Sequence, residues 1–279
     1  MASISQIALA ICKSGALILS RLGWTAVKLS ALVGLGLSPV SAANLANCAK
    51  PVYLSFDTGS QEYAHYVAQT LRQQKITATF FIANERNKQG GFALDNDWAA
   101  FWRGLLADGH TLANHTYDHV YILGDTSDGK IRVKPQFGAQ AGQILRWSPA
   151  EFCQELRRLD QRLLELTGQN PAPFWRAPGG KLSKNALAAA SACGYQHVGW
   201  SASGWSGDEL PSERYSNASL LNAMLAQLRS QDIILIHLGI WSRRDAWVPA
   251  NLLPLIDGLR QRGFCFASLR QRPSELAIK

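Results

Sequence analysis

A chain of 279 residues with 47% hydrophobic residues is long enough for one large domain with a substantial core, and its composition excludes disorder, coiled coil and collagen. The formal net charge of +8 includes Lys13, Arg21 and Lys28, which have no acid among residues 1–42, so the rest of the chain carries 25 basic against 20 acidic residues. Those basic residues are scattered, with short pairs only at Arg157-Arg158 and Arg243-Arg244, which argues against a nucleic-acid partner and for a solvated, mildly basic surface.

Residues 1–43 read as an export signal. An apolar run from Leu29 to Leu37 is followed by Ser38, Pro39 and the small-residue stretch Val40-Ser41-Ala42-Ala43, an A-x-A-like cleavage site. The run is too short and too interrupted by glycine for a membrane span. An uncleaved amphipathic anchor over the long front half is the lesser alternative. The expectation is an exported protein, periplasmic or secreted, whose folded domain is residues 44–279, with no stable membrane span after cleavage.

Pro51 to Phe56 is apolar and β-rich and reads as a buried strand, ending at Asp57-Thr58-Gly59. Glu62 to Gln74 reads as a helix, Ala78 to Ile82 as the second strand, and Trp98 to Asp108 as a helix with apolar Trp98, Phe101, Trp102, Leu105 and Leu106. After Gly109, His110 to Asn114 forms a short strand that delivers His115 and His119. Two histidines four apart on one face of a helical turn can reach a common point, a spacing suited to a divalent metal.

Tyr121 to Leu145 has no helical period and is rich in Gly, Asp and Gln, so it reads as a long loop of functional type. Ser148-Pro149-Ala150-Glu151 then starts a helix, with Ser as cap and Glu three residues on, running to Thr167 and ended by Gly168. Pro173 to Arg176 is a strand followed by the turn Ala177 to Gly180. Ser183 to Cys193 is an Ala-rich helix, Gln196 to Trp200 a strand, Leu220 to Arg229 a helix, Asp232 to His237 a strand, Leu252 to Arg262 the last helix and Phe264 to Ala267 the last strand. About seven strands alternating with helices predict a parallel (β/α) barrel.

Without the signal, Cys48, Cys153, Cys193 and Cys265 remain, an even count that permits two disulfides in an exported chain. Cys48 precedes the first strand and Cys265 lies in the last, and those strands are neighbours in a closed barrel. Cys153 and Cys193 lie in two helical segments able to pack side by side. Four buried free thiols is the equal alternative. No cysteine spacing suits a metal.

Barrel chemistry sits at the C-terminal ends of the strands. Asp57, His115 with His119, Arg176 and His237 each fall at or just beyond such an end. These stretches resemble the NodB-type polysaccharide deacetylases, carbohydrate esterase family 4, across roughly residues 50–270. The resemblance implies a distorted (β/α)7 barrel, a divalent metal such as zinc or cobalt, and removal of N-acetyl groups from a glycan of the N-acetylglucosamine type. It assigns Asp57 as general base, His115 and His119 as metal ligands, Arg176 as the residue orienting the base, and His237 as general acid. Gly179 takes the place whose backbone N–H holds the oxyanion, and Trp205 and Leu235 resemble the acetyl-pocket wall. Trp241 and Trp247 follow His237 in a loop and are expected to touch substrate, whereas Trp98 and Trp102 read as core.

Two positions depart from that family. Its first motif has two adjacent acids, and here the second, a metal ligand, is Thr58, so weaker metal binding is expected. An acid expected near Ser203 to pair with the histidine is absent, with Asp208 or Glu209 as substitutes. These departures motivate a second reading, a carbohydrate-binding protein with weakened catalysis. Hydrolysis of a small non-sugar amide is a third.

Overall fold

The computed structural model describes residues 48–273, so the expected signal over 1–43 lies outside the described residues. Among them no helix is long and apolar enough to cross a membrane.

Strand β1 (Pro51–Asp57) is the axis of the fold. Its odd and even residues part company, as the two-residue period of a strand requires. Val52, Leu54 and Phe56 turn outward into a core shared with the covering helices, while Tyr53 turns inward to meet Phe81, Ala113, Val198 and Ile233. Along Tyr53–Asp57 β1 pairs with β9 (Ile233–His237). On its other side Pro51–Tyr53 pairs with β10 (Cys265–Ala267), and Ser55–Asp57 pairs with β2 (Thr79–Ile82). The sheet continues through β3 (Thr111–Asn114), β7 (Phe174–Trp175) and β8 (Gln196–His197), giving seven strands with every pairing parallel. Beyond β8 the chain runs beside β9 as irregular backbone. Ser201 N–H donates to Ile233 O at 3.1 Å, and Trp205 bridges to Leu235. The sheet therefore curls into a distorted barrel, as the strand count predicts.

The helices are α1 (Ala64–Gln74), α2 (Ala99–Ala107), α3 (Pro149–Thr167), α4 (Lys184–Ala192), α5 (Asn217–Gln227) and α6 (Trp247–Gln261). α3 has the full capping box: Ser148 Oγ accepts the Glu151 N–H, and the Glu151 carboxylate accepts the Ser148 N–H at 2.7 Å. Of the two readings left open for the cysteines, the disulfides are present, Cys48–Cys265 and Cys153–Cys193, with Cα separations of 6.0 and 6.2 Å.

Two expectations are corrected. The segment read as a long loop holds a three-stranded antiparallel sheet, β4 (Tyr121–Asp125), β5 (Ile131–Lys134) and β6 (Leu145–Trp147). It buries Ile122, Ile131 and Val133 against Phe152 and Ala186 of α3 and α4, so strand alternation is what orders it. The tight connection at Asp128-Gly129, a strong hairpin signal, lies between β4 and β5. The second correction is local: His115 to His119 is not a helical turn. Thr116 and His119 both have positive φ, 61° and 48°, so a compact left-handed loop brings the rings together.

Candidate active site

The parallel register sets the first pair. Asp57 and His237 are partners at the ends of β1 and β9, so both side chains rise from the same mouth of the barrel. Below them lies Arg176, fully buried at 0% exposure. Its guanidinium donates through Nη1 to Asp57 Oδ1 at 2.7 Å, through Nη2 to Ser55 Oγ and Gly199 O at 2.9 Å, and through Nε to Val198 O at 3.1 Å. Its charge also stacks over the Phe81 ring, 3.9 Å from the centroid. An arginine with all of these partners cannot swing away, so it fixes one carboxylate oxygen of Asp57 and leaves the other free. Burial pushes the Asp57 carboxyl up, but the charges of Arg176 and His237 and the Arg176 hydrogen bond prevail and hold it below the usual range.

His115 is held by the backbone beside it. Its Nδ1–H donates to Arg176 O at 2.9 Å, which fixes the tautomer and leaves the Nε2 lone pair 3.4 Å from Asp57 Oδ2. Burial brings the His115 pKa down to about 4 against the pull of Asp57, so the ring is neutral near pH 7. The His119 ring stands 5.0 Å away, edge to face, and also touches Tyr121 and Phe137.

Helix α3 anchors this histidine loop. Glu155 accepts the Asp118 N–H at 2.6 Å, Arg158 donates to the Asp118 carboxylate at 2.8 Å, and Arg158 stacks over Tyr117. Asn114 donates to Asp160 of α3 and accepts the Thr116 N–H, both at 2.8 Å. Asp118 is thereby turned to α3 and is no ligand.

Across the mouth, His237 Nδ1 sits 2.9 Å from Asp208 Oδ1, and the His237 N–H donates to Asp208 Oδ2 at 2.7 Å. Burial disfavours the charged ring, yet the Asp208 carboxylate outweighs it and raises the His237 pKa to about 10. Of the two acids the sequence offered, Asp208 is the partner. Ser203 bonds instead to Asp232 at 2.6 Å, at the start of β9.

The remaining expected residues divide. Gly179 is exposed, with φ 62°, and a Cβ there would stand 3.2 Å from the Tyr121 ring. Leu235 is buried at 3% next to the Trp205 bridge. Trp241 is 51% exposed with Lys88 over its ring, so it offers an open apolar face. Trp247 does not: it is 2% exposed in the core at the start of α6, although it borders a small recess shared with His237, Tyr63 and Gly239. Trp98 and Trp102 are core, as expected.

Sequence reading misses two residues. Tyr121 stands between His119 and Gly179 at the mouth of the barrel. Glu85, 7% exposed, accepts hydrogen bonds from Thr58 Oγ1 at 2.6 Å and Gly59 N–H at 3.1 Å. No local pattern marks Glu85; only the fold sets it beside position 58.

The donor chemistry suits a divalent cation. A neutral imidazole whose far nitrogen is held by a carbonyl is the usual arrangement of a metal-binding histidine. Its Nε2 lone pair faces a carboxylate oxygen at 3.4 Å, and two acceptors so close favour a positive centre near them. Among the described residues, however, no three His, Cys, Asp or Glu side chains converge on one point.

The polysaccharide deacetylase family model matches residues 45–198. The chain belongs to the polysaccharide deacetylase family. A chitooligosaccharide deacetylase of Azorhizobium caulinodans is 27% identical over 82% of this chain and 97% of its own length. Another, from Sinorhizobium fredii, is 29% identical over 80% and 92%. Among solved structures, a family 4 acetyl xylan esterase from Clostridium thermocellum, in complex with a cobalt ion, superposes with TM-score 0.61 at 21% identity, covering 80% of this chain and 89% of that one. A family 4 pseudoenzyme from Bacillus anthracis gives TM-score 0.58 at 16% identity over 80% of this chain; the match spans 64% of the pseudoenzyme's length. Both support the NodB-like barrel.

Proposed function

We propose that this deacetylase-family chain is a metal-dependent hydrolase that removes N-acetyl groups from an N-acetylglucosamine-type oligosaccharide or polysaccharide. One observation carries the reading: Asp57 and His237 are register partners at one barrel mouth, each locked by its own counter-charge, with the His115 Nε2 lone pair between 3 and 4 Å from Asp57. The match to two chitooligosaccharide deacetylases over 97% and 92% of their lengths supports the substrate class.

His115 and His119 would hold the ion, with Thr58 as the neighbouring oxygen donor. Bound there, a zinc or cobalt ion supplies Lewis acidity and makes water nucleophilic near neutral pH. Asp57, held ionised by Arg176, takes the proton of the attacking water through its free oxygen. The water oxygen bonds to the acetyl carbonyl carbon, and the Gly179 N–H would stabilise the negative oxygen that forms. His237, charged through Asp208, donates its proton to the amide nitrogen. The C–N bond breaks, and acetate and the free amino sugar leave. Trp241 offers an apolar face for a sugar ring, and Leu235 with Trp205 walls the acetyl group.

Thr58 in place of a carboxylate favours the other reading, a glycan-binding member without turnover. The two intact pairs, Asp57–Arg176 and His237–Asp208, weigh against it, since binding needs neither base nor acid. The two disulfides support an exported protein, periplasmic or secreted. The deciding test is acetate release by the purified full chain from N-acetylglucosamine oligomers, with metal stripped and then restored as zinc or cobalt. Metal-dependent release is expected. Sugar binding without release under any metal would replace the enzyme with the binding protein.

A further inference from the structure

Glu85 is a buried carboxylate beside the candidate metal site, close enough to act electrostatically on the His115 ring, yet among the described residues it forms no ion pair. The other buried acids around the mouth each have one: Asp57 has Arg176, Asp208 has His237, and Asp118 and Glu155 share Arg158. Among the described residues its one histidine neighbour by charge is His115, whose ring is neutral near pH 7, and the hydrogen bonds to its carboxylate fall on Oε1. Buried charges are ordinarily paired or bound to a metal. Glu85 is held in place nonetheless, by Thr58 Oγ1 and by the N–H of Gly59, the two residues that follow Asp57.

The hydroxyl of Thr58 has one proton and two lone pairs. The proton goes to Glu85, and one lone pair accepts the Ala83 N–H at 3.2 Å. One lone pair is left, on an oxygen made more basic by the carboxylate behind it. We propose that Thr58 and Glu85 together replace the missing acid of the first motif: Thr58 Oγ1 binds the ion beside His115 and His119, and Glu85 supplies the negative charge through the hydrogen bond. The arrangement accounts for the absence of three converging acid or imidazole side chains, because the charge sits one residue behind the ligand. It compensates an otherwise uncharged donor set of two imidazoles and a hydroxyl, and it makes Glu85 a positioning residue. The inference rests on the metal-dependent reading above.

The test is cobalt affinity of the purified full chain by calorimetry and chelator competition, with the cobalt absorption spectrum as a second readout and thermal melting as a check of fold. Loss of a partner behind a metal ligand typically lowers affinity about 10–100-fold, and Glu85→Gln is expected to do so with a changed spectrum. Thr58→Val is expected to lower affinity at least as far. Thr58→Asp restores a direct carboxylate, so in that background Glu85→Gln is expected to have little further effect. Unchanged cobalt affinity in Glu85→Gln or in Thr58→Val overturns the proposal while leaving the metal-dependent reading intact. Should Glu85→Gln fail to fold, Thr58→Val decides alone. A wild-type chain that binds no cobalt overturns both.

Discussion

Asp208 holds His237 at two points, accepting from the ring Nδ1 at 2.9 Å and from the backbone N–H at 2.7 Å. The backbone bond fixes the carboxylate, and the fixed carboxylate fixes the ring and its charge. With the His237 pKa raised to about 10, the ring is the protonated form across the neutral range. Asp208→Asn keeps much of the geometry and removes the charge. The basic limb of the pH–rate profile is expected to move down by more than one pH unit. Stability should respond as well. A raised histidine pKa stabilises the fold fully below about 6.5 and loses that contribution as pH rises through about 10. The wild-type melting temperature should therefore fall between pH 7 and 10 by more than that of the variant. Parallel curves would remove Asp208 as the source of the shift.

Asp57→Asn removes the proposed base but leaves both histidines. Turnover is expected to drop by about 10²–10⁴-fold, the usual worth of a positioned base. Metal content, read by elemental analysis, should stay near the wild-type level. Undiminished acetate release would take Asp57 out of the role.

Gly59 forms the turn directly behind Asp57, at φ 56°. A Cβ there would stand 2.2 Å from Gly239 O, the carbonyl that accepts the Ser60 N–H. Backbone cannot yield as a side-chain tip does, so Gly59→Ala must pry the end of β1 from the segment after β9. The variant is expected to lose most activity and to melt several degrees lower. A fully active Gly59→Ala protein would mean that this turn relaxes freely.

Glu155 is a buried acid under the histidine loop. Burial raises its pKa to about 7, against the pull of the Asp118 N–H and of Arg158. Its folded pKa lies above the ordinary 4.5, so its contribution to stability is complete below about 4.5 and is lost as pH rises through about 7. Glu155→Gln keeps a carbonyl for the Asp118 N–H and carries no charge. Against wild type it should gain melting temperature progressively from pH 5 to pH 8. A gain that is flat with pH would mean that Glu155 is ionised throughout.

The barrel is legible in the sequence because its strands are short apolar runs that end in polar residues, and the alternation with helices dictates parallel pairing. Asp57, His115, Arg176 and His237 could be found for the same reason, each standing where an apolar run stops. The hairpin sheet over 121–147 carries its signals, Ile131 and Val133 alternating with Arg132 and Asp128-Gly129 at the turn, but the abundance of Gly and Gln masks them. Glu85 and Asp208 gain their roles only from contacts across 26 or more residues of chain. Trp247 is misread for a related reason: α6 begins at Trp247 itself, earlier than the apolar period indicates, and draws that side chain into the core.

The Cys48–Cys265 bridge has a mechanical side. It joins the lead-in of β1 to β10, the strand that already pairs with Pro51–Tyr53. Tension applied through any tether upstream of Cys48 is shared at once between two strands at the bottom of the barrel. Asp57 stands at the opposite end of β1, where it is held between Phe81 of β2 and His237 of β9. The load is diverted before it reaches the reactive end, so the register that aligns Asp57 with His237 is shielded from pulling on the polypeptide that precedes it.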